Sequence, residues 1–244
     1  MKTVPFWLYI ILCVAEISSE YFQISELKLI TKPMLMPALI LLLLQYTEGI
    51  SFPAKKTLII SLVFSWFGDI ALMFTGPVRF NATELFYSPH FFIVGLVCFL
   101  IAHLLYIFVF KKYTLDNKKG IVSSKPMVLA PLLLYMFVLL WKVLPAISAN
   151  EKDAPMLIPV VIYSTVIACM VLYAILRYGR VNEVSFKLTM LGALFFMLSD
   201  SIIAINKFLY AGDLPLAGVG IMTLYLAGQL LIVLGIIKQY KEEI

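Results

Sequence analysis

Eight apolar segments, separated by polar or turn-rich breaks, constrain the fold of this chain more than any other feature of its sequence. A helix needs about 20 mostly apolar residues, within a range of roughly 17–25, to cross the hydrocarbon core of a membrane. The composition agrees, because 62% of the 244 residues are hydrophobic and 14% are charged, whereas soluble domains carry roughly 25% charged residues. We therefore predict an all-α integral membrane fold, a single domain over 1–244, with eight transmembrane helices at 4–19, 31–47, 57–75, 91–110, 126–145, 156–176, 187–207 and 216–237.

The lysines and arginines are distributed unequally between the two sides of the predicted bundle. The side that carries the N-terminus, the C-terminus and the loops after helices 2, 4 and 6 holds 13 of the 19 basic residues, several of them in or beside the break at 116–120. Cytoplasmic loops of membrane proteins carry an excess of Lys and Arg. We therefore predict that both termini are cytoplasmic and that this is a multi-pass protein of the bacterial inner membrane.

A weak internal repeat divides the eight predicted helices into two sets of four. Helix 3 reads FSWFGDIALMF at 64–74 and helix 7 reads FFMLSDSIIAI at 195–205, so each places an aspartate five residues after a phenylalanine. Helix 4 reads LIAHLLYIF at 100–108, against LAGQLLIVL at 226–234 in helix 8. The pattern predicts a duplication of four helices, which would keep the same orientation in the membrane.

Ionisable residues inside the predicted spans are the main functional candidates, because a charge near the bilayer centre costs at least about 2.5–3.5 kcal/mol. Asp69 and Asp200 lie at similar depths in helices 3 and 7, and Glu16, a weaker candidate, lies at a similar depth in helix 1. The alternative is structural: the aspartates would bond across helices to Ser, Tyr or Gln, and Glu16 would serve helix packing.

Neither histidines nor cysteines predict a metal site. His103 lies inside a span, but His90 lies in a loop, so a zinc site built on histidines is not expected, and His103 is interpreted as an interhelical hydrogen-bonding residue. Cys13, Cys98 and Cys169 each lie in an apolar run without metal-ligand spacing, and we predict that they are buried. No cofactor is predicted.

Two lysines and three uncharged polar residues complete the candidate set. Lys32 and Lys207 lie near helix ends, where we expect their side chains to extend to the lipid headgroups or, alternatively, to bind a lipid phosphate. Tyr225 and Gln229 are four residues apart and share one helix face, at a depth near that of Tyr163.

Two carboxyl groups in one low-dielectric site do not easily both ionise, so one stays protonated beside a carboxylate. Such a pair suits hydrolysis through an oxocarbenium-like cation, peptide hydrolysis inside the membrane, or proton-coupled transport. An intramembrane aspartyl protease would typically carry G-x-G-D, and here Trp66 precedes Phe67-Gly68-Asp69. A transporter would typically carry glycine- or proline-broken helices in matching positions of its two halves, and the sequence has none.

Five motifs, in this order over nearly the whole chain, resemble the YhhN-like membrane proteins, whose characterised members are lysoplasmalogenases. The motifs are Lys32-Pro33 at the start of helix 2, F-x-x-x-G-D ending at Asp69, A-H-L-x-Y at 102–106, L-S-D-S at 198–201 with Asn206, and Tyr225 with Gln229.

The resemblance implies hydrolysis of the vinyl-ether bond of lysoplasmalogens (alkenyl-glycerophospho-ethanolamine or -choline) to a fatty aldehyde and a glycerophospho-headgroup. Asp69 and Asp200 would be the catalytic pair. A related ether or ester lysolipid is an alternative substrate. The partners expected are membrane lipids and this lysophospholipid, not nucleic acid, and the oligomeric state is left open. The residues implied to bind substrate or support the site are Lys32, His103, Tyr106, Ser199, Asn206, Lys207, Tyr225 and Gln229.

The sequence alone gives a weak preference between the two aspartates. Ser199, Ser201 and Lys207 could favour the charged form of Asp200. That weakly favours Asp200 as the carboxylate, while the sequence leaves open which aspartate is the acid.

Overall fold

The residues that the structure describes form eight long helices. The computed structural model describes residues 4–50, 52, 54–76, 78–80, 83–85, 88, 90–111, 122 and 125–242. The predicted break at 116–120 lies outside these residues. The helices are α1 (Val4–Phe22), α2 (Ser25–Tyr46), α3 (Ala54–Met73), α4 (Phe91–Lys111), α5 (Ala130–Ala149), α6 (Leu157–Ile175), α7 (Glu183–Leu209) and α8 (Ala217–Glu242). Short 3-10 turns, Pro126–Leu129 and Ala154–Met156, precede α5 and α6.

The prediction of eight spanning helices is confirmed, since eight helices of the described chain are long and apolar enough to cross a membrane. Large apolar side chains such as Trp7, Ile11, Phe137 and Trp141 are more than half exposed. A surface of this kind suits contact with lipid and not with water. The chain is a multi-pass integral membrane protein.

The helix bounds differ from the prediction where polar residues continue a helix beyond its apolar part. α2 begins at Ser25, six residues before the predicted start, and α1 ends at Phe22, so only two residues connect them. Gln23 makes this tight turn with a φ of +56°. The sequence analysis also missed a short antiparallel hairpin after α3, formed by β1 (Val78–Phe80) and β2 (Thr83–Leu85).

The chain divides into two compact units, unit 1 up to Val109 and unit 2 from Phe110 to Glu243. Unit 1 contains α1 to α3 and nearly all of α4, and unit 2 contains α5 to α8. This boundary falls where the repeat divides the sequence, although the duplication itself and the single domain stay predictions.

Close helix contacts in each unit depend on glycine. In unit 2, a Cβ on Gly192 of α7 would lie 2.7 Å from the carbonyl oxygen of Gly228 of α8, so the two backbones meet directly. In unit 1, a Cβ on Gly68 of α3 would lie 2.7 Å from the ring of Phe99 of α4. Small residues allow such close packing between membrane helices, and in unit 1 this contact places α4 next to the helix that carries Asp69.

Candidate functional site

Unit 1 buries a cluster of charged side chains among α1, α2 and α3. Glu16 is fully buried, and Asp69 and Lys32 are 2% and 7% exposed. Lys32 interacts electrostatically with both carboxyl groups. Buried charges persist when they are paired with opposite charges, so Lys32 is the counter-ion of this cluster. The prediction that Lys32 extends to the headgroups is wrong, because α2 begins early enough to place it two turns inside the helix.

The hydroxyl of Thr31 on α2 contacts Glu16 of α1. Thr31 Oγ1 lies 2.5 Å from Glu16 Oε2 and 2.9 Å from the carbonyl oxygen of Leu27. A hydroxyl donates one proton. Thr31 therefore shares this proton between the Glu16 carboxyl group and the backbone of its own helix.

A tryptophan joins α2 to α3 beside this cluster. Pro37 has no N–H to donate to the carbonyl of Pro33 four residues earlier. Trp66 of α3 supplies the donor, since its Nε1 lies 2.7 Å from Pro33 O. Lys32 directly precedes Pro33, and Asp69 lies three residues after Trp66, on the same face of α3. This hydrogen bond therefore sets the register in which Lys32 meets Asp69.

Aromatic hydroxyls extend the cluster toward α4. Tyr9 is fully buried, forms a hydrogen bond with Cys13, and interacts electrostatically with Asp69 and Tyr106. His103 and Tyr106 of α4 are fully buried as well. The structure thus places Lys32, Tyr106 and Asp69 among the polar side chains of one unit, and His103 one turn from Tyr106.

Asp200 of unit 2 lies in a different setting. The phenol of Tyr163 on α6 donates a hydrogen bond to Asp200 Oδ2. Ser199 instead donates to the carbonyl of Ile221 at 3.1 Å, and Ser201 donates to that of Met197 at 2.8 Å. A serine inside a helix readily bonds to backbone carbonyls. The serine contribution expected for the charge of Asp200 is therefore absent from these contacts, which instead include the uncharged phenol of Tyr163.

The other predicted residues of unit 2 divide between the helix interior and a connection. Gln229 Nε2 lies 3.4 Å from Tyr225 Oη, so the shared face of these two buried residues is confirmed. Asn206 has a structural role, because its Oδ1 accepts a hydrogen bond from Leu214 N at 3.0 Å and thereby holds the turn between α7 and α8. Lys207 is half-buried, with Nζ 5.6 Å from the ring centroid of Phe208.

A fully buried arginine in unit 2 was missed by the sequence analysis. Arg177 follows α6, and its guanidinium donates to Ser185 Oγ at 2.9 Å and to Gln239 Oε1 at 2.6 Å. It also lies 5.7 Å from the ring centroid of Phe110. One side chain thereby joins the ends of α6, α7 and α8 and the end of α4.

Thr31, Tyr9 and Tyr163 are further site residues that sequence reasoning did not assign. Thr31 had one available signal, its position next to Lys32, and Tyr9 another, its spacing of two turns from Glu16. The expectation for the cysteines is wrong: Cys13, Cys98 and Cys169 are half-buried, because apolar side chains in a membrane helix need not face protein. Within the described residues, no group of three or more His, Cys, Asp or Glu side chains could hold a metal ion.

Each unit also contains a cavity. In unit 2, an apolar cavity of about 430 Å³ is lined by residues of α5, α6 and α7, and its lining on α7 ends at Leu198, two residues before Asp200. In unit 1, a polar cavity of about 270 Å³ lies at the α1–α2 turn and the end of α3.

These features define a class of protein: a helical membrane protein that holds carboxyl groups inside its spans, two beside a lysine and one beside a tyrosine. The chain belongs to the YhhN family, whose sequence model matches residues 27–236. It is 30% identical over 150 residues to the Homo sapiens protein named "Lysoplasmalogenase TMEM86B". That match covers 62% of this chain and 56% of the human protein, so the chain spans little more than half of the relative's length. No solved structure matches this chain.

Proposed function

We propose that this protein hydrolyses the vinyl-ether bond of a lysoplasmalogen, the reaction after which its human relative is named. The observation that carries the proposal is the position of Asp69 and Asp200 inside membrane spans, beside a charged partner, Lys32, for Asp69 and a neutral partner, Tyr163, for Asp200. The products are a fatty aldehyde and a glycerophospho-headgroup.

The reaction needs a proton donor and a stabiliser of positive charge. Protonation of the β-carbon of the vinyl ether gives an oxocarbenium ion. Water adds to this ion and returns a proton, and the resulting hemiacetal collapses to the aldehyde and the free alcohol of the headgroup. A neutral carboxylic acid can supply the first proton, and a carboxylate can stabilise the cation and orient the water.

We assign the carboxylate to Asp69 and the proton donor to Asp200. A cation beside a carboxyl group favours its charged form, and Lys32 interacts with Asp69. Asp200 accepts a hydrogen bond from the neutral phenol of Tyr163 on Oδ2, and a neutral donor stabilises a carboxylate less than an ammonium does. This assignment reverses the preference drawn from the sequence, whose basis was Ser199, Ser201 and Lys207.

The apolar cavity of unit 2 supports a substrate with a hydrocarbon chain. It lies along α7 on the side of Leu198 away from Leu209, and volumes of roughly 300–1,000 Å³ are usual for ligand sites. Its lining includes Leu194, Phe195 and Leu198. A chain in this cavity would place its head end toward Asp200.

The test is aldehyde release from lysoplasmenyl-ethanolamine by the purified protein in lipid nanodiscs. We expect release by the wild type, and loss of it in Asp69→Asn and in Asp200→Asn. Asp213→Asn is the matched control, because Asp213 is an exposed aspartate in the connection after α7, and it should behave as the wild type. Full activity in both Asp69→Asn and Asp200→Asn would overturn the catalytic assignment. Faster cleavage of an ester lysolipid would overturn the proposal that a lysoplasmalogen is the substrate.

We also propose that the protein lies in the bacterial inner membrane with both termini in the cytoplasm. The support is the excess of Lys and Arg on that side of the sequence. Green fluorescent protein fused after Ile244 should fluoresce, whereas a periplasmic alkaline phosphatase fused at the same position should be inactive. The reverse result would invert the orientation.

A further inference from the structure

The polar cavity of unit 1 lies at one end of three membrane helices. Its lining comes from the α1–α2 turn, the first turns of α2, the last turn of α3 and the residues that follow, including Gln23, Ser25, Lys28, Leu29, Leu72 and Thr75. The ends of membrane spans lie at the level of lipid headgroups. A polar cavity of about 270 Å³ at this level has the position of a headgroup site.

Lys28, which lines this cavity, forms an ion pair with Glu20 of α1. Lys28 Nζ lies 2.5 Å from Glu20 Oε1, and the two side chains are 33% and 10% exposed. Lys28 and Lys32 are four residues apart on one face of α2, and their like charges interact. An anion bound at Lys28 would offset this repulsion, because it places negative charge next to the more exposed of the two lysines.

The cavity also contains an acceptor for a cation. Pro33 has no N–H to donate to the carbonyl of Leu29, which lies four residues earlier in the same helix. Leu29 lines the cavity. The Leu29 carbonyl in the cavity lining and the Glu20 carboxylate in contact with Lys28 are thus two oxygen acceptors in this part of unit 1.

We propose that this cavity binds the zwitterionic headgroup of the lysolipid substrate, with Lys28 on the phosphate and Glu20 with the Leu29 carbonyl on the ammonium group. The inference deepens the proposed function, on which it rests. Each charge of the headgroup meets the opposite charge of the Lys28–Glu20 pair, so the ligand replaces an ion pair by two ion pairs.

The depth of the cavity fits the position of the reacting bond. Asp69 lies three residues before Leu72 on α3, which is roughly 4.5 Å along the helix axis. In a lysoplasmalogen, a short glycerol segment separates the phosphate from the vinyl ether. A phosphate held at Lys28 therefore places the ether bond deeper in unit 1, toward the level of Asp69.

The kinetic test compares a phosphorylated substrate with an unphosphorylated one. The Michaelis constant (KM) is measured for lysoplasmenyl-ethanolamine and for 1-alkenylglycerol, which lacks the phosphate. Lys28→Met removes a charge-assisted hydrogen bond to the phosphate. It should raise KM for the first substrate on the order of tenfold, with kcat and the alkenylglycerol KM unchanged. Glu20→Gln should raise KM for lysoplasmenyl-ethanolamine and not for the alkenyl lysophosphatidic acid, which lacks the ammonium group.

Lys142→Met is the control, because Lys142 is an exposed lysine of α5 that does not line the cavity. Equal effects of Lys28→Met and Lys142→Met, or equal effects of Lys28→Met on both substrates, would overturn the inference and reduce Lys28–Glu20 to a surface ion pair. Lys28→Arg keeps the charge and should restore most of the affinity.

A binding measurement separates this inference from the proposed reaction. Native mass spectrometry would count the 1-alkyl lysophosphoethanolamine, which has no vinyl ether to cleave, retained by wild type and by Lys28→Met. Soluble glycerophosphoethanolamine should compete for the site more strongly than inorganic phosphate. If the wild type cleaves nothing but retains the lipid in a Lys28-dependent way, the proposed reaction is wrong and the headgroup site stands. If retention does not depend on Lys28, or if inorganic phosphate competes equally, the headgroup site is wrong.

Discussion

The two units of this protein contain the same local sequence pattern but surround it with different chemistry. In unit 1, Asp69 is buried beside the ammonium of Lys32. In unit 2, Asp200 is half-buried and accepts a hydrogen bond from the phenol of Tyr163. The comparison teaches that an aspartate at one position of a similar sequence pattern acquires its electrostatic surroundings from the neighbouring helices.

The residue before each aspartate shows the same division of roles. Gly68 lets the ring of Phe99 on α4 approach the backbone of α3. Ser199 donates its hydroxyl to the carbonyl of Ile221 on α8. In both units this small residue contacts the next helix, by packing in one and by a hydrogen bond in the other.

The largest expected effect tests whether the two aspartates have different roles. Asp200→Asn removes the proposed proton donor and should lower kcat by about 10³-fold, within the range for general acid catalysis. Asp69→Asn removes the proposed stabilising carboxylate and should lower kcat by about 10²-fold. Aldehyde release under saturating substrate measures both, and the opposite order would exchange the two roles.

Replacing Lys32 of unit 1 should lower the free energy of unfolding far more than replacing Lys207 of unit 2. Lys32→Met leaves buried carboxyl groups without their cation and should lower the free energy of unfolding by about 3 kcal/mol. The double variant Lys32→Met/Asp69→Asn should recover part of that loss. Lys207→Met removes a half-buried lysine near an aromatic ring and should cost less than about 1 kcal/mol. Unfolding in mixed detergent micelles measures each, and equal losses would remove the distinction between the units.

The glycine contacts predict a smaller difference in the free energy of unfolding, with the larger loss at the glycine that meets the stiffer neighbour. A Cβ at Gly192 meets backbone of α8, whereas a Cβ at Gly68 meets a side-chain ring that can move. Gly192→Ala should lower the free energy of unfolding by about 2 kcal/mol and Gly68→Ala by about 1 kcal/mol. Gly220→Ala is the control, because its Cβ would have 3.5 Å of space to Ile202. A neutral Gly192→Ala would show that α7 and α8 are not in direct backbone contact.

The smallest expected effect concerns the phenol of unit 2. Tyr163→Phe removes one hydrogen bond between membrane helices, which contributes about 0.6 kcal/mol on average. We expect a stability loss below about 1 kcal/mol and a fall in kcat of roughly tenfold, because Asp200 loses the group that orients it. The substitution should have no effect in the Asp200→Asn background, and an equal fall there would show that Tyr163 acts independently of Asp200.

The sequence predicts the helices well because a membrane span is a local property. About 20 apolar residues suffice to identify one, and no partner helix is needed. The polar first turns of α2 and the hairpin after α3 were missed, since neither is apolar. The late predicted start of α2 also caused the error at Lys32, which looked terminal and lies two turns inside.

The sequence predicts which residues belong to the candidate site, but not which side chains they contact. Asp69 and Asp200 are identified by the cost of charge inside a membrane. Their partners are not, because a helix that is apolar on all sides gives no sign of its rotation. Tyr163 is one of 13 tyrosines in the chain, and only the packing of α6 against α7 selects it.

The hydrogen bond from Trp66 to Pro33 has a consequence for biogenesis. When α2 leaves the translocon, the Pro33 carbonyl has no donor in its own helix, and a bare carbonyl in hydrocarbon is costly. The residue that supplies the donor is synthesised 33 positions later. We therefore expect α2 to complete its insertion together with α3, as a pair and not as single helices, so that Lys32 and Asp69 enter the bilayer already matched.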